Sequence, residues 1–137
     1  MAEKIDQVVI DANDGIMGRI SAFAAKQSLL GKQVSIVNSE NVMISGKRKV
    51  LIETYKAKIA RGGTAQKGPY ISRTVEGIFK RSIRGMLPWS KSRGREAFRR
   101  IKCYTGIPKE FENAEKVSFK QEFTTPFVLL KDLVKLI

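Results

Sequence analysis

The side chains of this chain that could do chemistry are mostly cations, and they are concentrated in one stretch. Between Lys47 and Lys102 lie 17 of the 26 Lys and Arg residues, where three glutamates oppose them. This basic stretch carries a net charge of +14, so it accounts for the whole formal charge of +13 on the chain. A single basic stretch in an otherwise balanced protein is typical of a surface that binds a polyanion. We therefore expect the functional site between residues 47 and 102.

Two aromatic residues, Tyr70 and Trp89, lie beside prolines among these cations. An aromatic ring in such a place can stack on an unpaired base, but Trp89 could equally cover the edge of the core. The segment from Ser90 to Arg95 predicts a flexible basic hinge that becomes ordered on binding. The candidate polyanion-binding residues are Lys47, Arg48, Lys49, Lys56, Arg61, Lys67, Tyr70, Arg73, Lys80, Arg81, Arg84, Trp89, Lys91, Arg93, Arg95, Arg99, Arg100 and Lys102.

Most familiar enzyme chemistries are excluded by two residue counts. The chain has no histidine and one cysteine, Cys103. These counts exclude His/Cys zinc sites, Ser-His-Asp triads and any histidine general base. We expect Cys103 to be a buried or half-buried thiol and not a reactive nucleophile. We accordingly predict no metal, no cofactor and no small-molecule substrate.

Three short motifs come close to nucleotide or metal sites, and each departs from the required spacing. Asp11 to Gly15 is similar to the start of a calcium loop, but the glycine comes one place early and the closing glutamate is missing. Gly15 and Gly18 lack the middle element of the dinucleotide-binding pattern. Ser45 to Lys47 ends like a phosphate loop without its first glycine or its Ser/Thr. A nucleotide-dependent enzyme that uses the turn from Asp14 to Gly18 remains the second hypothesis.

Structured RNA is the polyanion that the rest of the sequence favours. A chain of 137 residues fits one domain. It has no apolar run of the roughly 18 residues that a membrane span needs and no signal-peptide pattern at its start, so we expect no membrane contact and no export. The DNA-reading helix-turn-helix, finger and zipper patterns are missing too. Binding to the protein's own message would use the same surface, and the sequence does not separate it from binding to another structured RNA.

A βαβ unit is predicted at the start of the chain. Residues Ile5 to Asp11 form an apolar strand pattern, and helical spacing follows Asp14, the predicted N-cap. Gly31 is the predicted left-handed stop of this helix. Val34 to Val37 supplies the second strand, which should lie parallel to the first through a right-handed crossover.

Further elements carry the basic stretch and close the domain. Helical patterns are predicted over residues 47–60, 74–87 and 93–99, with an exposed loop over 61–70 between the first two. On the wheel of the second helix, Lys80, Arg81 and Arg84 lie opposite an apolar side. That side comprises Val75, Ile78, Phe79, Ser82, Ile83 and Met86. Short strands are predicted at 101–104 and 117–119, and a C-terminal helix over 127–137 follows Thr125 and Pro126.

Four segments together resemble one known family. These are Val9 to Lys32, Val37 to Gly46, Gly68 to Arg73 and Arg81 to Gly106, of which the run RGMLP from Arg84 to Pro88 is the most specific. They are similar to the universal ribosomal protein family number thirteen of the large subunit, in its archaeal and eukaryotic type. The resemblance covers nearly the whole chain.

This resemblance implies a fold, a partner and a role. The expected fold is a single α/β domain over residues 1–137, with three layers and a mostly parallel sheet of about four strands. The expected partners are large-subunit ribosomal RNA and neighbouring ribosomal proteins, with the chain a monomer within the cytoplasmic ribosome. The expected role is structural, in subunit assembly and translation, without catalytic residues. Within the family motif we assign RNA contact to the cations and backbone shaping to Gly85, Pro88 and Gly94.

Overall fold

The chain folds into helices and short strands. The computed structural model describes residues 7–61, 73–120 and 125–136. Two 3-10 turns, Ser39–Asn41 and Lys109–Phe111, lie among the elements. In chain order the helices and strands are β1 (Gln7–Asp11), α1 (Met17–Leu29), β2 (Gln33–Val37), β3 (Met43–Ser45), α2 (Arg48–Ala60), α3 (Val75–Arg84), α4 (Ser92–Arg99), β4 (Ile101–Cys103), β5 (Lys116–Ser118), β6 (Phe127–Leu129) and α5 (Leu130–Leu136).

The central sheet confirms the predicted α/β class. Its four strands lie in the order β4-β2-β1-β5, and every pair of neighbours is parallel. In the β1–β2 pair, Val8 lies opposite Val34 and Ile10 opposite Ile36, with α1 as the crossover between the two strands. The first βαβ unit was therefore predicted correctly. A second, smaller sheet joins β3 and β6 in antiparallel fashion.

The two faces of the central sheet are covered differently. Side chains alternate between these faces along each strand. Ile10 and Ile36 join the main core, together with buried residues of α1, α3, α4 and α5 such as Phe79 and Leu133. Val9, on the other face, packs in a separate small cluster of Val37, Phe111, Tyr104 and Ala114. Among the described residues, the second outer layer is thus the 3-10 turn at Phe111 and its flanks, where the three-layer prediction implied an α-helix.

The start of α1 differs from the prediction. The helix begins at Met17, and its N-cap position is Ile16, which makes no side-chain cap. Asp14 lies upstream in a left-handed conformation with φ of 57°, so the prediction of Asp14 as N-cap was wrong. The amide of Gly15 donates to the carbonyl of Ala12 at 3.1 Å, so a separate turn precedes the helix. Gly31 has φ of 93°, which confirms it as the left-handed stop.

The C-terminal segment corrects a second prediction. Residues 127–129 form β6 and pair with β3, Met43 opposite Leu129, so α5 begins only at Leu130. The short strand β3 offers unpaired backbone groups at its edge, and an extended Phe-Val-Leu run satisfies them. Periodicity alone does not separate such a short apolar strand from the first turn of a helix.

The end of α3 also departs from the helical wheel. The helix ends at Arg84, three residues earlier than predicted. Beyond that point the helical phase no longer applies, so Met86 is 45% exposed although the wheel placed it on the apolar side. Leu87 turns inward instead and is 6% exposed.

The corner between α3 and α4 is tightly packed around Gly94. A Cβ atom added at Gly94 would lie 2.1 Å from the carbonyl oxygen of Pro88, closer than any real side chain approaches backbone. The amide of Lys91 donates to the same carbonyl at 3.0 Å, so Pro88 cannot simply move away. At Gly85, by contrast, a Cβ would meet only the Ser82 carbonyl oxygen, at 3.6 Å, and φ is −64°. The predicted shaping role is therefore supported for Gly94, whereas the backbone at Gly85 does not require glycine.

Alanine substitutions at two helical glycines should change stability in opposite directions. Ala is preferred to Gly within helices by up to about 1 kcal/mol. Gly18→Ala should therefore stabilise the protein, because a Cβ there meets nothing within 4 Å. Gly94→Ala should instead lower the free energy of unfolding by about 1–3 kcal/mol through overpacking against Pro88. Urea unfolding of both variants measures the difference, and equal stabilisation by both would disprove the tight corner.

Candidate nucleic-acid interface

Helix α3 presents cations opposite the core, as its sequence predicts. The helix is capped by Thr74, whose hydroxyl oxygen accepts from the amide of Gly77 at 3.2 Å. Ile78, Phe79 and Ile83 are buried, which fixes the rotation of the helix about its axis. As a result Arg81 is exposed, and Lys80 and Arg84 are half-buried. The backbone of a packed helix thus holds these three charges at defined positions.

Aromatic rings between α3 and α4 hold two of these cations. The guanidinium carbon of Arg84 lies 4.4 Å from the centre of the Trp89 ring, and the Lys80 ammonium lies 4.7 Å from that of Phe98. Trp89 and Phe98 meet edge to face at 5.2 Å. Such cation–π contacts orient a charge without neutralising it. Trp89 therefore lies in a cluster that joins the two helices, which favours the packing role of the two that the sequence left open.

Helix α4 agrees with the predicted helix over 93–99 and not with the predicted basic hinge. It runs from Ser92 to Arg99, so Arg93 and Arg95 are helical, and the prediction of a flexible hinge from Ser90 to Arg95 was wrong. Because Gly94 has no side chain, the first turn of α4 can lie beside the Pro88 carbonyl. The exposed cations of the segment are therefore pre-ordered and need no folding step before they bind.

Arg100 differs from its neighbours because it has an intramolecular partner. Its Nη1 donates to the carbonyl oxygen of Ser28 at 2.9 Å, near the C-terminus of α1. The last carbonyls of a helix lack partners within the helix and attract cations. Arg100 thus ties α1 to the end of α4, whereas Arg99 beside it is exposed.

Helix α2 carries the upstream part of the basic stretch and is loosely attached. None of its residues is buried. It rests on the main core through Leu51, Ile52 and Tyr55, which are half-buried. The Lys58 ammonium lies 5.2 Å from the centre of the Tyr55 ring. A helix with so little buried area has little tertiary stabilisation of its own.

The candidate residues fall into three groups by their exposure. Lys67 and Tyr70, with most of the predicted loop over 61–70, lie outside the described residues. Half-buried are Lys80, Arg84, Trp89 and Arg100. Exposed are Lys47, Arg48, Lys49, Lys56, Arg61, Arg73, Arg81, Lys91, Arg93, Arg95, Arg99 and Lys102.

Several cations meet at a groove between α2 and α3, which we call the α2–α3 groove. Its volume is about 670 Å³. It is lined by Met17, Tyr55, Lys58, Gly77, Ile78, Lys80, Arg81, Ser82, Arg84, Gly85 and Phe98. Sequence reasoning did not select Tyr55, Lys58 or Phe98 as site residues. The spacing of Tyr55 and Lys58, one helical turn apart, was the available signal.

The cations near the groove keep their charge available for a ligand. No ion pair joins the described residues, and none of the residues that line the groove is acidic. Of the three glutamates in the basic stretch, Glu76 accepts a hydrogen bond from the hydroxyl of Thr105. Cations without carboxylate partners are suited to binding phosphates.

The turn before α1 does not have the geometry of a nucleotide site. A Cβ at Gly15 would lie 2.6 Å from the Ile20 side chain, and the carbonyl of Gly15 accepts from the amide of Met43 at 2.7 Å. This backbone is packed against protein, which leaves no place for a pyrophosphate to approach. Asp11 Oδ1 accepts hydrogen bonds from the amide of Asn13 and from Asn38 Nδ2, so this carboxylate stabilises the turn. In the described part of the chain, no cluster of three or more potential metal ligands occurs, and no helix is long and apolar enough to cross a membrane.

Comparison with known proteins agrees with the resemblance seen in the sequence. Residues 5–110 match the family model described as ribosomal protein L13. A protein of Archaeoglobus fulgidus, named large ribosomal subunit protein uL13, is 46% identical over 110 residues, which cover 80% of this chain and 70% of the relative. Relatives of the same name from Methanococcoides burtonii and Methanocaldococcus jannaschii are 48% and 41% identical. The latter match covers 93% of this chain and 94% of the relative.

Burial should make Cys103 slow to react. The thiol is half-buried, as predicted, and desolvation raises its pKa from 9.0 to about 12, against a smaller lowering effect of Lys80. Because the thiolate is the nucleophile, iodoacetamide at pH 8 should alkylate the folded protein roughly 10- to 100-fold more slowly than the protein unfolded in urea. Mass spectrometry over time measures both rates. Equal rates would show that the thiol is neither shielded nor shifted.

Arg100 and Arg99 should differ in their contribution to stability. Arg100→Gln removes the charged hydrogen bond to Ser28 and should lower the free energy of unfolding by about 1 kcal/mol. Arg99→Gln is the matched control, and as an exposed change it should stay within about 0.5 kcal/mol of the parent. Thermal unfolding measures both variants. If the two are equally stable, the contact of Arg100 with α1 does not contribute.

Proposed function

Because the chain belongs to the ribosomal protein L13 family, we propose that it is a structural component of the large ribosomal subunit and binds ribosomal RNA. Membership of this family implies a role in subunit assembly and translation, and not in catalysis. Its place of action is then the cytoplasmic ribosome, where one copy contacts RNA and neighbouring ribosomal proteins.

One observation supports RNA binding independently of the family. The exposed cations of α3, α4 and β4 have no carboxylate within ion-pair distance among the described residues. Such a surface repels itself, and this costs stability unless a polyanion neutralises it. Ribosomal RNA is a polyanion of this kind, because every nucleotide carries a phosphate.

The cations fall into two groups with different parts in binding. Arg81, Arg93 and Arg95 are exposed and lie on packed helices. An arginine can bind one phosphate through two parallel hydrogen bonds, so cations at fixed spacing select RNA of matching shape. The cations of α2, such as Lys49 and Lys56, are on a loosely attached helix and contribute mainly through long-range attraction. Together the two groups would hold RNA segments that converge on the protein.

Removing exposed arginines should weaken RNA binding and leave the fold intact. In the triple variant Arg81→Gln, Arg93→Gln and Arg95→Gln, each lost phosphate contact should reduce the salt slope of log K by about 1. Binding to a fragment of large-subunit RNA, titrated at several salt concentrations, measures this slope. We expect a decrease of up to about 3, with unfolding within about 0.5 kcal/mol of the parent for each change.

The matched control removes three exposed lysines from outside the basic stretch. Lys26, Lys109 and Lys131 are exposed, and their replacement by Gln lowers the net charge by the same amount. If this control loses as much salt dependence as the arginine variant, binding follows total charge and the proposed surface is wrong.

A further inference from the structure

The α2–α3 groove has a feature that phosphate binding alone does not require, namely an apolar floor. Met17, Ile78 and the rings of Tyr55 and Phe98 lie among its lining residues, together with four cations. We infer that this groove receives an unpaired RNA nucleotide, whose base packs against Tyr55 and whose phosphate is bound by Lys58, Arg81 and Arg84. The inference rests on the proposed function, because it assumes that the partner is RNA.

The size and charge of the groove fit one nucleotide. Its volume of about 670 Å³ lies within the range of roughly 300–1,000 Å³ typical of sites for small ligands. The cationic side chains come from both walls, Lys58 from α2 and Lys80, Arg81 and Arg84 from α3. No lining residue carries a negative charge. The occupant must therefore combine an anionic group with a flat apolar surface.

Duplex RNA does not offer this combination. Its bases are stacked and paired, and it presents phosphates and hydroxyls to a protein. A duplex lying across the rim could reach the cations but would leave the apolar floor uncovered. An unpaired nucleotide presents both a phosphate and an open base face, and base stacking on aromatic side chains tolerates any base.

Tyr55 is the ring best placed to meet a base. The rings of Tyr55 and Phe98 each have a cation over them, but Phe98 also packs edge to face with Trp89, and Tyr55 has no such contact with another ring among the described residues. Tyr55 is half-buried on a helix that has no fully buried residue, and its ring contacts Lys58 of the same helix. The Tyr55 hydroxyl is protonated at neutral pH, because its pKa is already well above neutral before burial raises it further, and it can donate a hydrogen bond.

Gly85 gives a way to block the groove without changing charge. It lines the groove, and its backbone does not require glycine. A leucine at position 85 would place a side chain at the wall of the groove that α3 forms. Gly18→Leu is the matched control, because Gly18 is an exposed helical glycine with open space around it and does not line the groove.

Three RNA probes of equal length, about ten nucleotides, test the inference by fluorescence anisotropy. They are an unstructured strand, the same strand with abasic sugars at every position, and a hairpin of paired bases. The parent protein should bind the base-bearing strand at least about fivefold more tightly than the abasic strand. Tyr55→Ala and Gly85→Leu should each abolish this preference, while Tyr55→Phe and Gly18→Leu should retain it.

The results that would overturn the inference differ from the result that would overturn RNA binding. Equal binding of the base-bearing and abasic strands by the parent protein would overturn the inference while phosphate binding, and with it the proposed function, stands. A preference that survives Gly85→Leu in a folded protein would likewise overturn it, because the base would then bind elsewhere. If Tyr55→Ala unfolds in a thermal scan, Gly85→Leu and Gly18→Leu carry the comparison. Failure of the parent protein to bind either the probes or the large-subunit fragment would instead disprove RNA binding itself.

Discussion

The arrangement of the cations depends on one steric constraint, the lack of room for a side chain at Gly94 beside the carbonyl of Pro88. With no side chain at Gly94, the first turn of α4 can rest directly on the corner that follows α3. This brings Phe98 of α4 against Trp89 of the corner, and the two rings then support Lys80 and Arg84 of α3. A side chain at Gly94 would force the two helices apart. The cations would then lose the rings that position them.

The support of cations by aromatic rings, and not by carboxylates, fits a surface that must stay positive. An ion pair would hold Lys80 or Arg84 equally well, but it would cancel the charge that a polyanion needs. A ring orients the cation and leaves its charge intact. The self-repulsion that results is offset on the opposite side of α3, where Ile78, Phe79 and Ile83 are buried in the core. The core of this small domain therefore stabilises the charged surface as well as the sheet.

The sequence predicted those parts of the structure that have a local cause. The β1-α1-β2 unit, the bounds of α2 and the cationic side of α3 follow from hydrophobic period and from the glycine stop at Gly31. Of the wrong predictions, that of a helix over residues 127–129 has a distant cause, because these residues pair with β3 far upstream in the chain. The flexible hinge predicted over Ser90 to Arg95 was wrong for a local reason, because Gly94 leaves room for the first turn of α4 beside the Pro88 carbonyl. The α2–α3 groove was not predicted, because it is formed by residues that are distant in the sequence. Tyr55 and Phe98, which both line it, are 43 positions apart.

The two parts of the basic stretch differ in how much order they have before binding. The cations of α3 and α4 are on helices packed against the core, so binding costs them mainly side-chain entropy. Helix α2 is attached through half-buried side chains only, and a partner that fixes it must offset a further ordering cost. The α2–α3 groove thus has one wall packed against the core and one wall attached through half-buried side chains only. An RNA that contacts both walls would therefore gain affinity from α2 only where its own shape brings a phosphate or a base within reach of Lys58 and Tyr55. The fixed cations of α3 and α4 would thus select RNA of matching shape, and α2 would add affinity only where the RNA reaches it.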